Sequence, residues 1–318
     1  MVSSASRLSR RALLLGGLAG AALPALAHAG AHAGSGGPKP VAGPFRRIVS
    51  MDFGLAETLI EMGIPPIAVP NPEAWGTWVV EPELPADIIN IGTDREPNLE
   101  LFSALKPQMI VSTPYLAGLL PLLEPIAPTR TYSVYAPPGG QPYKSSVQAT
   151  REMARDIGAE AAGEALIARA EEEMAHARRR LAETGANKMP VLVLTFFDAR
   201  HVRVYGAGSL FGDVMEQCGL INGWPQTSNY WGFNTIGMEQ LAALDATRAL
   251  CLEPISPDTR AELAASPLWN SLPVVRSGQV QIIPPVLMFG MLPAAMRFAR
   301  QLVLHLADGK PGNRWIDG

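Results

Sequence analysis

The stretch Asn90–Tyr115, NIGTDREPNLELFSALKPQMIVSTPY, constrains the fold of this chain more than any other. A short apolar run, Ile88-Ile89-Asn90-Ile91, stops at Gly92 and reads as a buried strand closed by a turn residue. The polar turn Thr93–Asn98 leads into a helical pattern of Leu99, Leu101, Phe102 and Leu105, with Asn98 placed to cap it and Lys106-Pro107 to stop it. A second strand, Met109-Ile110-Val111, delivers Ser112–Tyr115 into another loop. Strand, loop, helix, strand is a βαβ unit, and its strands run parallel. Arg95 and Tyr115 therefore leave the sheet at its carboxyl edge, where open α/β sheets bind ligands. One cation and one phenol facing a shared crevice outline a recognition site.

The same grammar repeats on both sides. Before the unit come a strand at Arg46–Ser50, a helix closed by Gly63, and a strand at Ile67–Val69. Trp75 and Trp78 follow in a long Pro-rich loop, each either a binding wall or a seal of the loop against the sheet. After it come a helix at Leu116–Leu123, a strand at Thr129–Val134, a turn at Pro137-Pro138-Gly139-Gly140, and a helix at Ser145–Ile157. From Glu160 to Glu183 the chain is Ala-rich, charged and free of Pro, with acids at its start and Arg178, Arg179 and Arg180 near its end, as the helix dipole favours. Gly163 is its one weak point. Alone, such a helix is a surface helix or a coiled-coil arm.

A second α/β set follows. Val191–Phe197 is a continuous apolar strand of the type buried on both faces. His201–Tyr205 alternates and reads as an edge strand. Ser209 is placed to cap a helix at Leu210–Cys218, and the lysine of a phosphate loop is absent there. Asn229–Phe233 is an aromatic loop, Met238–Leu244 a helix, Ala249–Leu252 and Val280–Ile283 strands, and Pro293–Leu306 the closing helix. The expected division is 46–158 for the first lobe, 159–187 for the joining helix, 188–310 for the second lobe and 311–318 for a tail.

Residues 1–29 read as an export signal. A twin-arginine pair, Arg10-Arg11, precedes a Gly/Ala-rich apolar run, and Ala27-His28-Ala29 is a cleavage signal. Gly16, Gly17, Gly20 and Pro24 interrupt that run, which is short for a bilayer span needing about 20 apolar residues. Residues 30–45 form a Gly/Pro-rich leader. Without Arg7, Arg10 and Arg11, 23 basic residues face 29 acidic ones, net −6, the opposite of a nucleic-acid binder. Cys218 and Cys251 are expected as free, buried thiols.

No nucleophile elbow and no Cys-x-x-Cys pattern occurs, and the His-x-x-x-His spacing of His28 and His32 falls at the end of the export signal and in the leader, where two histidines make no metal site. Asp198 and His201 lie close together but lack a nucleophile in a supporting motif. The loops offer aromatic surface and a few donors instead: Phe53, Trp75, Trp78, Arg95, Tyr115, Asn229, Tyr230, Trp231, Met288 and Phe289. That suits a bulky organic ligand with a compact polar centre.

The arginine turn G-x-x-R-x-P-N-L-E, the following A-L-K-P, and the later Trp78-Val79-x-Glu81-Pro82, Ser209-Leu210-Phe211, Asn229-Tyr230-Trp231-Gly232 and Ser266-Pro267-Leu268-Trp269 resemble the periplasmic binding proteins for iron siderophores and cobalamin, most of all the ferric hydroxamate binders. The resemblance runs from about Arg46 to Arg300. It implies two Rossmann-like α/β lobes joined by one long rigid helix, and a monomer that hands a ferric siderophore to an ABC permease, with no resident cofactor and no catalysis. Positions matching Arg95 and Tyr115 bind hydroxamate oxygens there, those matching Trp78 and Trp231 form apolar walls, and those matching Phe53 and Phe289 are aromatic pocket positions. Glutamates matching Glu100 and Glu239 pair with permease arginines. This chain departs from the ferric hydroxamate binder it most resembles at Leu287, where that protein carries tryptophan, and at Arg203, where that protein is apolar and the extra cation favours a more anionic ligand. Cobalamin or haem binding on the same fold, and a siderophore hydrolase, are the alternatives.

Overall fold

The computed structural model describes residues 45–135, 140–244, 247–309 and 313–314. The export signal, nearly all of the leader, the Pro137–Gly139 turn and the tail apart from 313–314 lie outside the described residues.

The first half runs β1 (Ile48–Ser50), α1 (Phe53–Glu61), β2 (Ala68–Val69), α2 (Trp75–Trp78), β3 (Ile89–Asn90), α3 (Leu99–Leu105), β4 (Met109–Ser112), α4 (Leu120–Leu123), β5 (Thr129–Thr131) and α5 (Pro142–Ile157). Its strands are all parallel, in the order β3-β2-β1-β4-β5. Asn98 caps α3 as expected, its Oδ1 accepting from the Leu101 amide at 3.0 Å. β3 and β4 do not touch, because β2 and β1 lie between them. The Trp-bearing segment is not an open loop. A 3₁₀ turn at Pro72–Ala74 runs into α2, which buries Trp75 (3 % exposed) and leaves Trp78 outside (46 %).

α6 (Glu160–Glu183) is the expected 24-residue helix, about 36 Å long at 1.5 Å per residue. Its buried positions, Gly163, Leu166, Ile167, Ala170, Met174, Ala177 and Leu181, recur every three or four residues and form one stripe. Gly163 is a packing residue, since a Cβ there would collide with Cβ of Ala154 on α5.

The second half runs β6 (Val191–Phe196), β7 (His201–Tyr205), α7 (Leu210–Gln217), β8 (Phe233–Gly237), β9 (Arg248–Leu252), α8 (Pro257–Ala265), α9 (Pro267–Ser271), α10 (Pro273–Arg276), β10 (Val280–Ile283), α11 (Leu292–Leu302) and β11 (Asn313–Arg314). The sheet order is β11-β10-β9-β6-β7-β8. β7 is therefore not an edge strand: β8 pairs with it antiparallel along its whole length, from Tyr205↔Phe233 to His201↔Gly237. The sequence F-N-T-I-G of β8 buries only Ile236, so it lacks the apolar alternation that announces a strand. The expected tail also contributes a strand, since β11 pairs antiparallel with β10.

One hydrophobic cluster joins the halves. It takes Ile48, Leu55 and Met109 from around the first sheet, Val191, Leu250 and Ile283 from the second, and the inner faces of α5, α6, α7 and α11. The two cysteines are free, Cys218 in this cluster and Cys251 on the far side of the second sheet. A polar contact crosses the same seam. Glu57 of α1 is 1 % exposed, and its Oε1 accepts from the amides of Met291 (2.9 Å) and Ala294 (3.3 Å) at the start of α11. Met291 itself supplies no side-chain cap, so a residue of the first half caps a helix of the second. Burial pushes the Glu57 carboxyl up to about 8, against the lowering effect of those two amides.

Candidate functional site

A cleft of about 690 Å³ opens at the carboxyl ends of the first sheet's strands. The turn after β1 contributes Asp52, the turn after β3 Asp94, the exit of β4 Thr113 to Tyr115, and the exit of β5 Tyr132 to Tyr135. The second half closes it with Tyr230 and Trp231 from one loop, Phe233 from the start of β8, and Phe289 and Met291 from another loop. Among the described residues, no Lys, Arg or His lines it.

Trp231 is the hub. Its ring meets Tyr230 at 4.9 Å, Phe289 at 5.5 Å, Tyr135 at 5.7 Å and Tyr115 at 6.5 Å between centroids, all steeply inclined, the arrangement the ring quadrupole favours. Its loop is pinned from within. Asn229 Oδ1 accepts from the amides of Trp231 (2.9 Å) and Phe233 (3.2 Å). Gly232 takes a left-handed φ of +80° and lies so close to the backbone of Gly208 and Ser209 that no side chain fits. Two hydrogen bonds then span the halves: the Tyr230 hydroxyl donates to the Tyr135 carbonyl, and the Tyr135 hydroxyl to the Met288 carbonyl at 2.9 Å.

Arg95 is exposed at the rim. Its guanidinium stands 5.2 Å from the centre of the Tyr115 ring, a cation–π distance. With Tyr115, Leu116, Gly118 and Leu119 it lines an adjoining groove of about 410 Å³, so Tyr115 borders both spaces and Arg95 only the outer one.

Of the expected site residues, Tyr115, Trp231 and Phe289 come together in the cleft, with Arg95 beside them. Asn229 is spent on its own loop. Phe53 packs behind the wall against Trp75, at 5.2 Å, and the Trp75 indole donates to the Pro82 carbonyl, so that pair seals the α2 segment. Trp78 is exposed and does not line the cleft. Met288 and Arg203 touch each other behind Phe289 and Phe233. Glu100 and Glu239 are both exposed, each in a first helical turn, Glu239 in the 3₁₀ helix Met238–Ala243. Asp198 holds a turn: His201 Nδ1 at 3.0 Å, with the Arg200 and His201 amides, keeps its carboxyl down at about 2.

Sequence reasoning missed Tyr135 and Asp52. Tyr135 lies just past the last parallel strand, and its spacing from Tyr132 is the one available signal. Asp52 is half-buried, caps α1 through the Leu55 amide at 3.0 Å, and is pushed up to about 6 by burial. Among the described residues no cluster of His, Cys, Asp and Glu could hold a metal ion.

Residues 48–287 match the family model described as periplasmic binding protein. The iron(3+)-hydroxamate-binding protein FhuD of Escherichia coli is 34% identical over 80% of this chain and 85% of its own length. The achromobactin-binding periplasmic protein of Dickeya dadantii is 26% identical over 75% of this chain and 78% of its own. Among solved structures, the Fe3+-Desferal-bound siderophore binding protein FhuD of Vibrio cholerae superposes with a TM-score of 0.78 at 26% identity, covering 83% of this chain and 98% of that one.

Proposed function

The chain belongs to the periplasmic binding protein family, and from that premise we propose that it captures a ferric hydroxamate siderophore in the aromatic cleft and delivers it to an inner-membrane ABC importer. The observation that carries this is the cleft's lining: four aromatic rings around Trp231 and, among the described residues, no basic side chain. Three anionic hydroxamates neutralise Fe³⁺, so a ferric trihydroxamate is uncharged and jacketed by alkyl chains. An aromatic cleft can desolvate such a complex without stranding a charge. A ferric tricatecholate keeps net negative charge and would face Asp52 and Asp94 with no compensating cation among the described lining residues. The relative from Escherichia coli, named for its iron(3+)-hydroxamate ligand, and the solved Desferal complex point the same way.

Tyr115 supplies a phenol donor at the seam between cleft and rim groove, and Arg95, stacked on it, supplies charge-assisted donors once it turns toward the ligand's oxygens. Trp231, Tyr135 and Phe289 form the apolar wall. The reading requires no covalent step: the metal arrives chelated and leaves chelated. The twin-arginine signal sends the protein to the periplasm, and Glu100 and Glu239 present carboxylates to the permease.

Calorimetric titration of the ligand-free protein with a neutral ferric trihydroxamate, a ferric tricatecholate, haem and cobalamin tests the reading. The trihydroxamate is expected to bind tightest by at least about tenfold, near 1.4 kcal/mol. Tighter binding of haem or cobalamin would overturn it.

A further inference from the structure

Behind the cleft wall, two hydrogen-bond donors converge on a single sulfur atom, and a third hydroxyl stands beside one of them. Arg203 Nη1 lies 2.9 Å and the Tyr205 hydroxyl 3.3 Å from Sδ of Met288, and Thr195 Oγ1 is 3.0 Å from the Tyr205 hydroxyl. The sheet explains the convergence. Side chains alternate across a strand, so Arg203 and Tyr205 of β7 share one face while Val202 and Val204 pack on the other. Thr195 of β6 is the register partner of Arg203, and Phe233 of β8 that of Tyr205. All four therefore stand on the face that looks toward the cleft, and Phe233 lines it.

A thioether is a weak acceptor and a poor partner for a guanidinium. Arg203 has no carboxylate within ion-pairing distance among the described residues. Its planar group lies 4.0 Å from the Phe233 ring centre and 4.8 Å from that of Phe197, and its buried Nε has no hydrogen-bond partner among the described residues. A half-buried cation held between rings, with a chain of two hydroxyls beside it that ends on sulfur, is a donor set suited to an oxyanion. Met288 covers it from the loop that carries Phe289. Methionine's unbranched, flexible side chain can move aside where a branched one could not.

We propose that Arg203, Tyr205 and Thr195 form a carboxylate subsite capped by Met288, which takes a carboxylate borne on an arm of the ferric siderophore while the neutral iron centre occupies the aromatic cleft. The proposal rests on the functional reading above and narrows it to hydroxamates with a pendant acid. No bond is made or broken: the carboxylate displaces the Met288 thioether and accepts from the guanidinium and hydroxyls.

A matched pair of probes separates the two ideas: ferric desferrioxamine with its terminal amine acetylated, which is uncharged, and the same complex succinylated, which carries one carboxylate. Calorimetry on the wild-type protein is expected to favour the succinyl form by about tenfold to a hundredfold, the worth of a charge-assisted hydrogen bond. Arg203→Gln, shown folded by thermal unfolding, should bring the ratio of the two affinities to within about twofold. Met288→Ala should strengthen the succinyl form selectively. A wild-type protein that binds both complexes equally overturns the subsite and leaves the functional reading standing, as does an Arg203→Gln variant that keeps the ratio. A protein that binds neither complex overturns both.

Discussion

Replacing Glu57 by glutamine should remove most of the protein's loss of stability between about pH 6.5 and 8. The carboxyl is fully buried and accepts two amides at the start of α11, and burial holds it protonated up to about 8, whereas an unfolded glutamate ionises near 4.5. The folded state therefore keeps a proton that the unfolded state has released across that interval. Its contribution is fully present below 4.5 and is lost as pH rises toward 8, at no more than about 1.4 kcal/mol per pH unit. Asp52, raised to about 6 by the same cause, loses its contribution lower in the range. Between pH 6.5 and 8 the Glu57 share is on the order of 2 kcal/mol, a fall in Tm of roughly 4–8 °C. Glutamine mimics the protonated acid and keeps the Oε1 acceptor, so the variant's Tm should hardly move there. Glu57→Leu, which orphans both amides, should be less stable at every pH by about 1–3 kcal/mol. Scanning calorimetry at matched ionic strength, pH 6.5 against pH 8, reads the difference. Parallel pH profiles for wild type and Glu57→Gln would show that Glu57 is not the titrating group.

Arg95→Ala should weaken a ferric hydroxamate by roughly 1.5–3 kcal/mol, tenfold to a hundredfold in Kd, and Tyr115→Phe by less, since the ring and its stacking remain; titration of folded variants checks the order, and an unaltered Kd for Arg95→Ala would place the ligand away from the rim. Trp231→Ala removes four ring contacts worth about 0.5–1.5 kcal/mol each, some of them within the free protein, and should weaken every ligand of the cleft alike. Glu100→Ala with Glu239→Ala should leave binding intact and abolish uptake; full uptake by that pair would remove both residues from permease docking. Arg10→Lys with Arg11→Lys should leave precursor in the cytoplasm, and normal periplasmic yield would exclude the twin-arginine route.

Features set by near neighbours along the chain are legible in the sequence. The ends of α6, the Asn98 and Ser209 caps and the buried strand β6 follow from local composition and alternation, and each stands where expected. β8 is not legible, because four of its five residues are not fully buried and β7 beside it alternates as an edge strand would. Trp75 and Trp78 read alike, three residues apart; Phe53 and the Pro82 carbonyl decide which of them turns inward, and both partners come from other segments. Tyr135 is held by partners far along the chain, its hydrogen bonds reaching Tyr230 and Met288, 95 and 153 residues further on. Arg95 is legible as a residue of the carboxyl edge, but its outward stance depends on the Tyr115 ring it rests on.

The ring of tyrosines around Trp231 also gives the protein an optical gauge of its own occupancy. Trp75, Trp224 and Trp269 are buried in the packed cores and Trp78 faces solvent outside the cleft, so their emission reports the fold or the bulk water. Trp231 alone among these stands in the cleft, with the rings of Tyr115, Tyr135 and Tyr230 close enough to pass it their excitation. A coloured ferric complex seated against it should draw off both its direct emission and the light the tyrosines feed to it. Excitation at the tyrosine band would then dim more on filling than excitation of tryptophan alone, and the ratio of the two would follow the cleft independently of protein concentration.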